Sequence, residues 1–397
     1  MAPERIDVDI AICGAGPVGL ALAAFLVRRG VQGERIALID GKSLGQAITD
    51  PRSIALSWGS VQLLEEVRAW PLPATPIHEI HVSRRGQLGR SLMDRAEHRL
   101  PALGYVARYG DVVDALARAC EAAGVRTLRP ARVESFDEED GAVLLRLDDG
   151  RIVEASVAVQ AEGGVFGQQE SKARQRDYEQ TALIARVTVN EPIAHRAFER
   201  FTDEGPLALL PQDGGDGHGY ALVWCMRPER AVDIQLLDDT AFLRELGDAF
   251  GTRLGAFTAA SPRVAFPLGL NAEARATDRT VAIGNAAQAI APAGARLKRA
   301  GDKPRATPRP SWGSRDVRDV GQALLRSAIR LCPAVAKARS ISVSRFAQPW
   351  KAFCQCVKDR PAWARAKVGS SRTAVSKKCR ARSLSALLKR YMCHRPR

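Results

Sequence analysis

The chain has 397 residues and a formal charge of +15; that length carries two or three packed units around a large buried core and excludes a small disulfide scaffold. No stretch reaches the roughly 18 consecutive apolar residues of a membrane span, and the start MAPERIDVDI lacks the basic-then-apolar order of a signal peptide, so the expected location is the cytoplasm. The charge is not spread: residues 291–397 hold 27 Lys and Arg against 4 Asp and no Glu, whereas residues 1–290 hold 32 basic and 40 acidic side chains. Two compositions therefore meet near residue 290. Cys13, Cys120 and Cys225 are scattered over the first part and Cys332, Cys354, Cys356, Cys379 and Cys393 crowd the second; without a paired CxxC they read as free thiols, and the single C-x-C at 354–356 is a weak metal signal.

Residues 7–13 form a short β-branched apolar run that ends directly in Gly14-Ala-Gly16-Pro-Val-Gly19, so a strand enters a glycine turn. Leu20 to Arg29 predicts a helix rich in Ala and Leu, and Arg35 to Asp40 (RIALID) predicts a second buried strand ending in an acid. This strand, turn, helix and strand make the G-x-G-x-x-G match a usable dinucleotide signature. Gly14 permits the tight turn, Gly16 lets the backbone approach a pyrophosphate, and Gly19 lets helix and strand pack closely. The helix start supplies unpaired N–H groups and about half a positive charge, so no lysine is needed to hold a diphosphate. Asp40 can accept the ribose hydroxyls and would repel a phosphorylated ribose. These residues fit the adenosine half of either FAD or NAD.

Further along come DPRSIALS at 50–57, HVSRRG at 81–86, LGYV at 103–106, DYEQTALIA at 177–185, RAFERFTDEGPLALLP at 196–211, LVWC at 222–225, RVAFPL at 263–268 and AIGNAAQ at 282–288. In this order, over about 290 residues, these strings resemble the group A flavoprotein aromatic hydroxylases, specifically their ubiquinone-biosynthesis branch. RAFERFTDEGPLALLP, HVSRRG and LVWC are most similar to its 2-polyprenyl-6-methoxyphenol hydroxylases. The resemblance implies an α/β fold: a Rossmann-like FAD-binding domain of the glutathione-reductase type, assembled from 1–75, 105–170 and 265–295, interleaved with an antiparallel β-sheet substrate domain from 76–104 and 171–264.

It also implies roles for particular residues. Arg52 matches an arginine near the FAD diphosphate and flavin. Glu162 and Gly163 stand where the wider family has Asp-Gly contacting the flavin cofactor and the reducing nucleotide. Gly284 and Asn285 match a second FAD fingerprint near the ribityl chain. NAD(P)H is implied as the reductant, O2 as co-substrate and a polyprenylated phenol as the molecule hydroxylated, the oxygen chemistry belonging to the flavin. A ubiquinone-biosynthesis complex and peripheral contact with the inner membrane are implied as partners. Trp224, Phe266 and Leu209 are candidates to line an apolar substrate cavity, although aromatic residues more often fill ordinary core. His195 and His218 read as surface or turn residues.

After GNAAQ the family expects a loop of the form H-P-x-x-G-Q-G-x-N facing the flavin, and here the chain reads Ala291-Pro292-Ala-Gly294-Ala-Arg-Leu-Lys298. Pro292 alone keeps the loop's proline. The peptide Gly-Ala-Arg-Leu-Lys, written GGG GCA AGG CTT AAA, becomes Gly-Gln-Gly-Leu one base later, which suggests an out-of-frame translation over residues 296–397. The alternatives are a native basic tail for RNA, DNA or anionic lipid, or a solvated extension without a partner. Trp312, Phe346, Trp350, Phe353, Trp363 and Tyr391 form no recognised module, which argues against nucleic acid. Loss of the loop predicts weakened FAD retention, at about 1.5–3 kcal/mol for each lost hydrogen bond to a charged group.

Overall fold

The computed structural model describes residues 4–87, 89–162, 175–212, 217–272, 277–286 and 288–289. Gly163, Pro292 and the whole basic tail from 296 lie outside the described residues.

The chain opens with β1 (Arg5–Cys13), α1 (Pro17–Arg28) and β2 (Ile36–Ile39), as the glycine signature requires. β1 pairs in parallel with β2 on one side and with the strand Ile152–Gln160 on the other. Arg126–Leu128 extends the sheet beyond β2, and Thr280–Ala282 pairs in parallel with the end of Ile152–Gln160. The hairpin Val133–Glu139 and Ala142–Leu147 adds two antiparallel strands. A central parallel strand is covered on both faces and so carries a continuous apolar run rather than an alternation. That is why Ile10, Ala11, Ile12 and Cys13 are all buried. One face packs against α1 and the helix Tyr109–Ala122 through Ile10, Ile12, Leu38, Leu20 and Leu116. The other face holds Val8, Ala11, Ile39, Val143 and Leu145.

A second, largely antiparallel sheet contains Glu79–Arg84, Arg90–Asp94, Gln175–Val189, Arg196–Phe201, Pro206–Pro211, Gly219–Met226, Phe257–Ala260, Val264–Ala272 and Gln288–Ala289. Its two faces differ. One is sealed by the helices Pro228–Leu236 and Asp239–Phe250, whose Ile234, Phe242, Leu246 and Phe250 pack on Leu183, Val187, Phe198, Leu209, Leu222 and Trp224. Proline at the first turn of one helix and Asp238 capping the other, with Oδ1 accepting from the Ala241 N–H at 2.7 Å, start both helices. A small antiparallel sheet of Ser53–Ser57, Gly104–Arg108 and Ala74–Ile77 completes the described fold.

The alternation between 177 and 268 thus produces the expected sheet, interrupted by a helical pair. Residues 265–272 run in this antiparallel sheet, paired with Gln175–Val189, while 280–282 join the parallel sheet. Trp224 and Leu209 are core residues beneath the helices, and Phe266 is half-buried. His195 adopts φ 58°, and His218 Nδ1 lies 2.7 Å from the Val189 carbonyl.

Candidate cofactor site

In a parallel α/β sheet, ligands bind where the carboxyl ends of the strands line up. Here Cys13 stands beside Ile39 and Gln160, and Gln160 beside Ala282, so four strand ends share one edge. Three backbone bonds tie the turns beyond them together: Gly14 N–H to Ile39 O and Ala161 N–H to Cys13 O at 2.7 Å, and Ile283 N–H to Gln160 O at 2.8 Å.

The glycines are required by this closeness. Gly14 has φ +106°, and a Cβ on it would lie 2.7 Å from the backbone of Ala161 and Glu162. A Cβ on Gly19 would stand 1.9 Å from the Gly14 carbonyl oxygen, so only glycine lets α1 start this near the turn. The first turn of α1 has Pro17 at its start, no side-chain cap and no acid, and its first intrahelical bond runs from Leu20 N–H to Gly16 O at 3.0 Å. Its N–H groups and positive end therefore face outward, as an anion requires.

Asp40 follows β2 directly. Its Oδ2 accepts from Ala15 N–H and its Oδ1 from Lys42 N–H, both at 2.8 Å, which fixes the carboxylate while leaving each oxygen a further lone pair. Behind it the Arg129 guanidinium, only 5% exposed, approaches Oδ1 at 3.8 Å and donates from Nε to Lys42 O at 2.9 Å. Arg132 lies across Gly41. Glu162, one residue past the Ala161 turn, has its carboxyl held above the usual range by burial, then by the Asp40 charge, with Arg132 opposing. Burial, followed by the Glu162 charge, raises the Cys13 thiol well above its ordinary value.

Arg52 reaches the same place through a neighbour. Its guanidinium stacks 4.7 Å from the centre of the Tyr109 ring, and a Cβ on Gly16 would lie 3.0 Å from the Tyr109 hydroxyl. Burial keeps that hydroxyl protonated past its usual range. Arg52 donates from Nε at 2.9 and 3.1 Å and from Nη2 at 2.7 Å to Asp50, so a ligand oxygen on those edges would share or displace a carboxylate. Gly284, at φ +59°, faces the Val18 side chain in the first turn of α1, and the exposed Asn285 follows it in the 3-10 turn Gly284–Ala286.

The structure thus gathers Gly14, Gly16, Gly19, Asp40, Glu162, Gly284 and Asn285 at one sheet edge, with Arg52 joined through Tyr109. Tyr109, Arg129 and Arg132 were not foreseen. The pairing of β2 with Arg126–Leu128 brings the two arginines in, and the short polar strand Arg-Thr-Leu before them carries no local signal of it. An uncapped helix start, glycines that a Cβ would block and a pinned carboxylate fit an adenosine diphosphate. Among the described residues no cluster of His, Cys, Asp and Glu could hold a metal ion, and no helix is long and apolar enough to cross a membrane.

Comparison with known proteins agrees with this geometry. Residues 7–296 match the family described as FAD binding domain. The ubiquinone hydroxylase UbiL of Rhodospirillum rubrum is 31% identical over 72% of this chain and 67% of its own length. The 3-demethoxyubiquinol 3-hydroxylase of Escherichia coli is 28% identical over 66% of this chain and 68% of its own length. Among solved structures, PqsL of P. aeruginosa in complex with 2-aminobenzoylacetate superposes with a TM-score of 0.58 at 19% identity, covering 85% of this chain and 87% of that one, which shows the shared fold. The chain belongs to the FAD binding domain family, as an FAD-dependent monooxygenase of the ubiquinone-biosynthesis hydroxylase group.

Proposed function

We propose that the chain hydroxylates a polyprenylated methoxyphenol, using FAD as cofactor, NAD(P)H as reductant and O2 as oxygen source. The observation that carries this reading is the glycine bend closed on Asp40, whose shape fits the adenosine diphosphate of FAD. The N–H groups opening α1 would face the diphosphate, the Tyr109 hydroxyl would stand beside it, and Asp40 would accept the ribose hydroxyls. Arg52, Glu162, Gly163, Gly284, Asn285 and Pro292 are assigned to the rest of the cofactor by their match to the family motifs. FAD, when bound, supplies the two electrons taken from NAD(P)H and transfers one oxygen atom of O2 to the ring.

The chain's own part is to hold the phenol in an apolar, water-poor space and to favour loss of its proton, because an electron-rich ring accepts oxygen more readily. The antiparallel sheet is the assigned substrate wall, and a polyprenyl tail would bring the protein to a membrane surface for its substrate. The choice of 2-polyprenyl-6-methoxyphenol over neighbouring ring positions rests on the RAFERFTDEGPLALLP, HVSRRG and LVWC strings. The test is aerobic incubation of the full chain, loaded with FAD, with NAD(P)H and a prenylated 2-methoxyphenol. The expected result is NAD(P)H oxidation coupled to a product one oxygen heavier. Oxidation without such a product, or none at all with FAD bound, would refute the assignment.

A further inference from the structure

The antiparallel sheet has one face sealed by two helices and another that is apolar and only half-covered. The strand registers define the second face. Along one row Val82, Glu199, Ala208, Val223 and Ile184 stand side by side across five strands. The flanking rows contain Ile80, Ala197, Leu210 and Ala221 on one side, ending at the exposed Arg186, and Phe201, Pro206, Cys225, Ala182 and Phe266 on the other, with the exposed Arg84 beside Phe201. Val82, Ala208, Val223, Ile184 and Phe266 are all half-buried, unlike the fully buried residues beneath the helices. Two small apolar clusters border the central row. Ile77, Val106 and Ala197 lie at one end with Ile80 and Leu210, and Ala182, Cys225 and Leu268 lie at the other with Val223.

Glu199 is the one carboxylate of these rows, and no described residue gives it a hydrogen bond or an ion pair. Its surroundings penalise charge, since burial alone lifts its carboxyl to about 7. The titratable side chain that faces it is the Cys225 thiol, itself pushed up to about 12 by burial first and then by the Glu199 charge. An unpaired acid in an apolar wall costs folding free energy. Neighbouring acids of the fold avoid that cost with partners: Glu79 pairs with Arg196 at 2.5 Å, and Glu204 and Glu245 share Arg230 at 3.5 and 2.5 Å. An acid kept without a partner on the substrate wall is suited to a donor that arrives with the ligand.

Resting on the function proposed above, we infer that Glu199 accepts the hydrogen bond of the substrate's phenolic hydroxyl and takes its proton as oxygen is transferred. The balance is simple. The phenol O–H bond breaks, its electron pair stays on the ring oxygen and enriches the ring, and the proton joins a Glu199 oxygen. Once oxygen is inserted, the ring carbon that received it releases its hydrogen to solvent as a proton, the proton held by Glu199 returns to the product's ring oxygen, and the carboxylate is restored. An acid titrating near neutrality can both take and return a proton at the working pH. The apolar rows on either side would receive the ring, its methoxy group and the first isoprenyl unit.

The test uses the full FAD-loaded chain, wild type beside Glu199→Gln and Glu199→Asp. A prenylated 2-methoxyphenol and its O-methyl ether, which has no hydroxyl to donate, are titrated by calorimetry under anaerobic conditions without reductant. The wild type is expected to bind the phenol about tenfold more tightly than the Gln variant does, while the ether binds both proteins alike. In turnover the Gln variant should lose hydroxylation by at least about a hundredfold and the rise of rate with pH near neutrality, with the Asp variant recovering part of each. Unchanged visible flavin absorbance in the variants shows that the cofactor site is intact. Equal phenol affinity and an unchanged pH profile in Glu199→Gln would overturn the inference, as would a wild type that binds no phenol. A wild type that shows the Glu199-dependent phenol affinity but makes no hydroxylated product refutes the proposed reaction and leaves the phenol site standing.

Discussion

Substituting Gly19 by alanine should damage both the fold and the cofactor site. The added Cβ would lie 1.9 Å from the Gly14 carbonyl oxygen and 3.2 Å from Ile12 Cγ2. To reach even a 3.0 Å contact, α1 has to retreat by about 1 Å, and the obstacle is backbone rather than a flexible side chain. Overpacking of this kind costs about 1–3 kcal/mol, and a backbone obstacle places Gly19 at the upper end. The same retreat moves the N–H groups that open α1 away from the diphosphate. Losing one or two charge-assisted hydrogen bonds costs about 3 kcal/mol, or roughly a hundredfold in FAD affinity. Gly247 is the control: it lies within the helix Asp239–Phe250, where a Cβ meets nothing within 4 Å, so Gly247→Ala should gain about 0.5–1 kcal/mol. The assay is a thermal melt of each variant together with an FAD titration followed by flavin fluorescence. A Gly19→Ala protein that melts and binds FAD like the wild type would refute the packing argument.

Other outcomes follow from the same geometry. Asp40→Asn keeps one acceptor oxygen for the two N–H groups of Ala15 and Lys42 and leaves Arg129 without its carboxylate, so stability should fall by about 1–3 kcal/mol and FAD affinity with it, read by melts and titration. His81 is 5% exposed, neither ring nitrogen has a hydrogen-bond partner among the described residues, and burial first, then Arg253, Arg196 and Arg90, hold its pKa below the ordinary value. As pH falls through about 6.5 the unfolded chain takes up a proton that the folded chain resists, so stability drops; His81→Leu should flatten that acid slope in melts across pH. Cys120 donates to Leu20 O at 3.3 Å and burial pushes it up to about 12, as it does Cys225, so both should resist alkylation in the folded chain and react on unfolding, counted by mass spectrometry.

What the sequence disclosed depended on distance along the chain. The turn from Gly14 to Gly19 and the acid at Asp40 span one strand, helix and strand, so spacing alone revealed the bend and its ends to within three residues. Tyr109, Arg129 and Arg132 enter that bend from more than 60 residues away, through strand pairing and helix docking that no local pattern encodes. The alternation between 177 and 268 announced a half-buried sheet. The helical pair inside it went unread because its start signals, Pro228 and Asp238, were averaged into the surrounding strand pattern. Glu199 was visible only as one letter of a motif; its isolation on an apolar face emerges once Glu199 is registered against Val82 and Ala208.

The most direct measurement of the central claim is the stoichiometry of flavin uptake. The purified full chain is titrated with FAD at equilibrium, and bound flavin is counted from the change in visible absorbance with and without competing ADP. The account predicts one FAD for each chain at saturation, displaced by ADP because the adenosine diphosphate is what the Gly14 to Asp40 bend grips, and shed on gel filtration because the loop after residue 290 departs from the flavin-facing pattern. The absence of any saturable uptake, or flavin that ADP leaves in place, would contradict it.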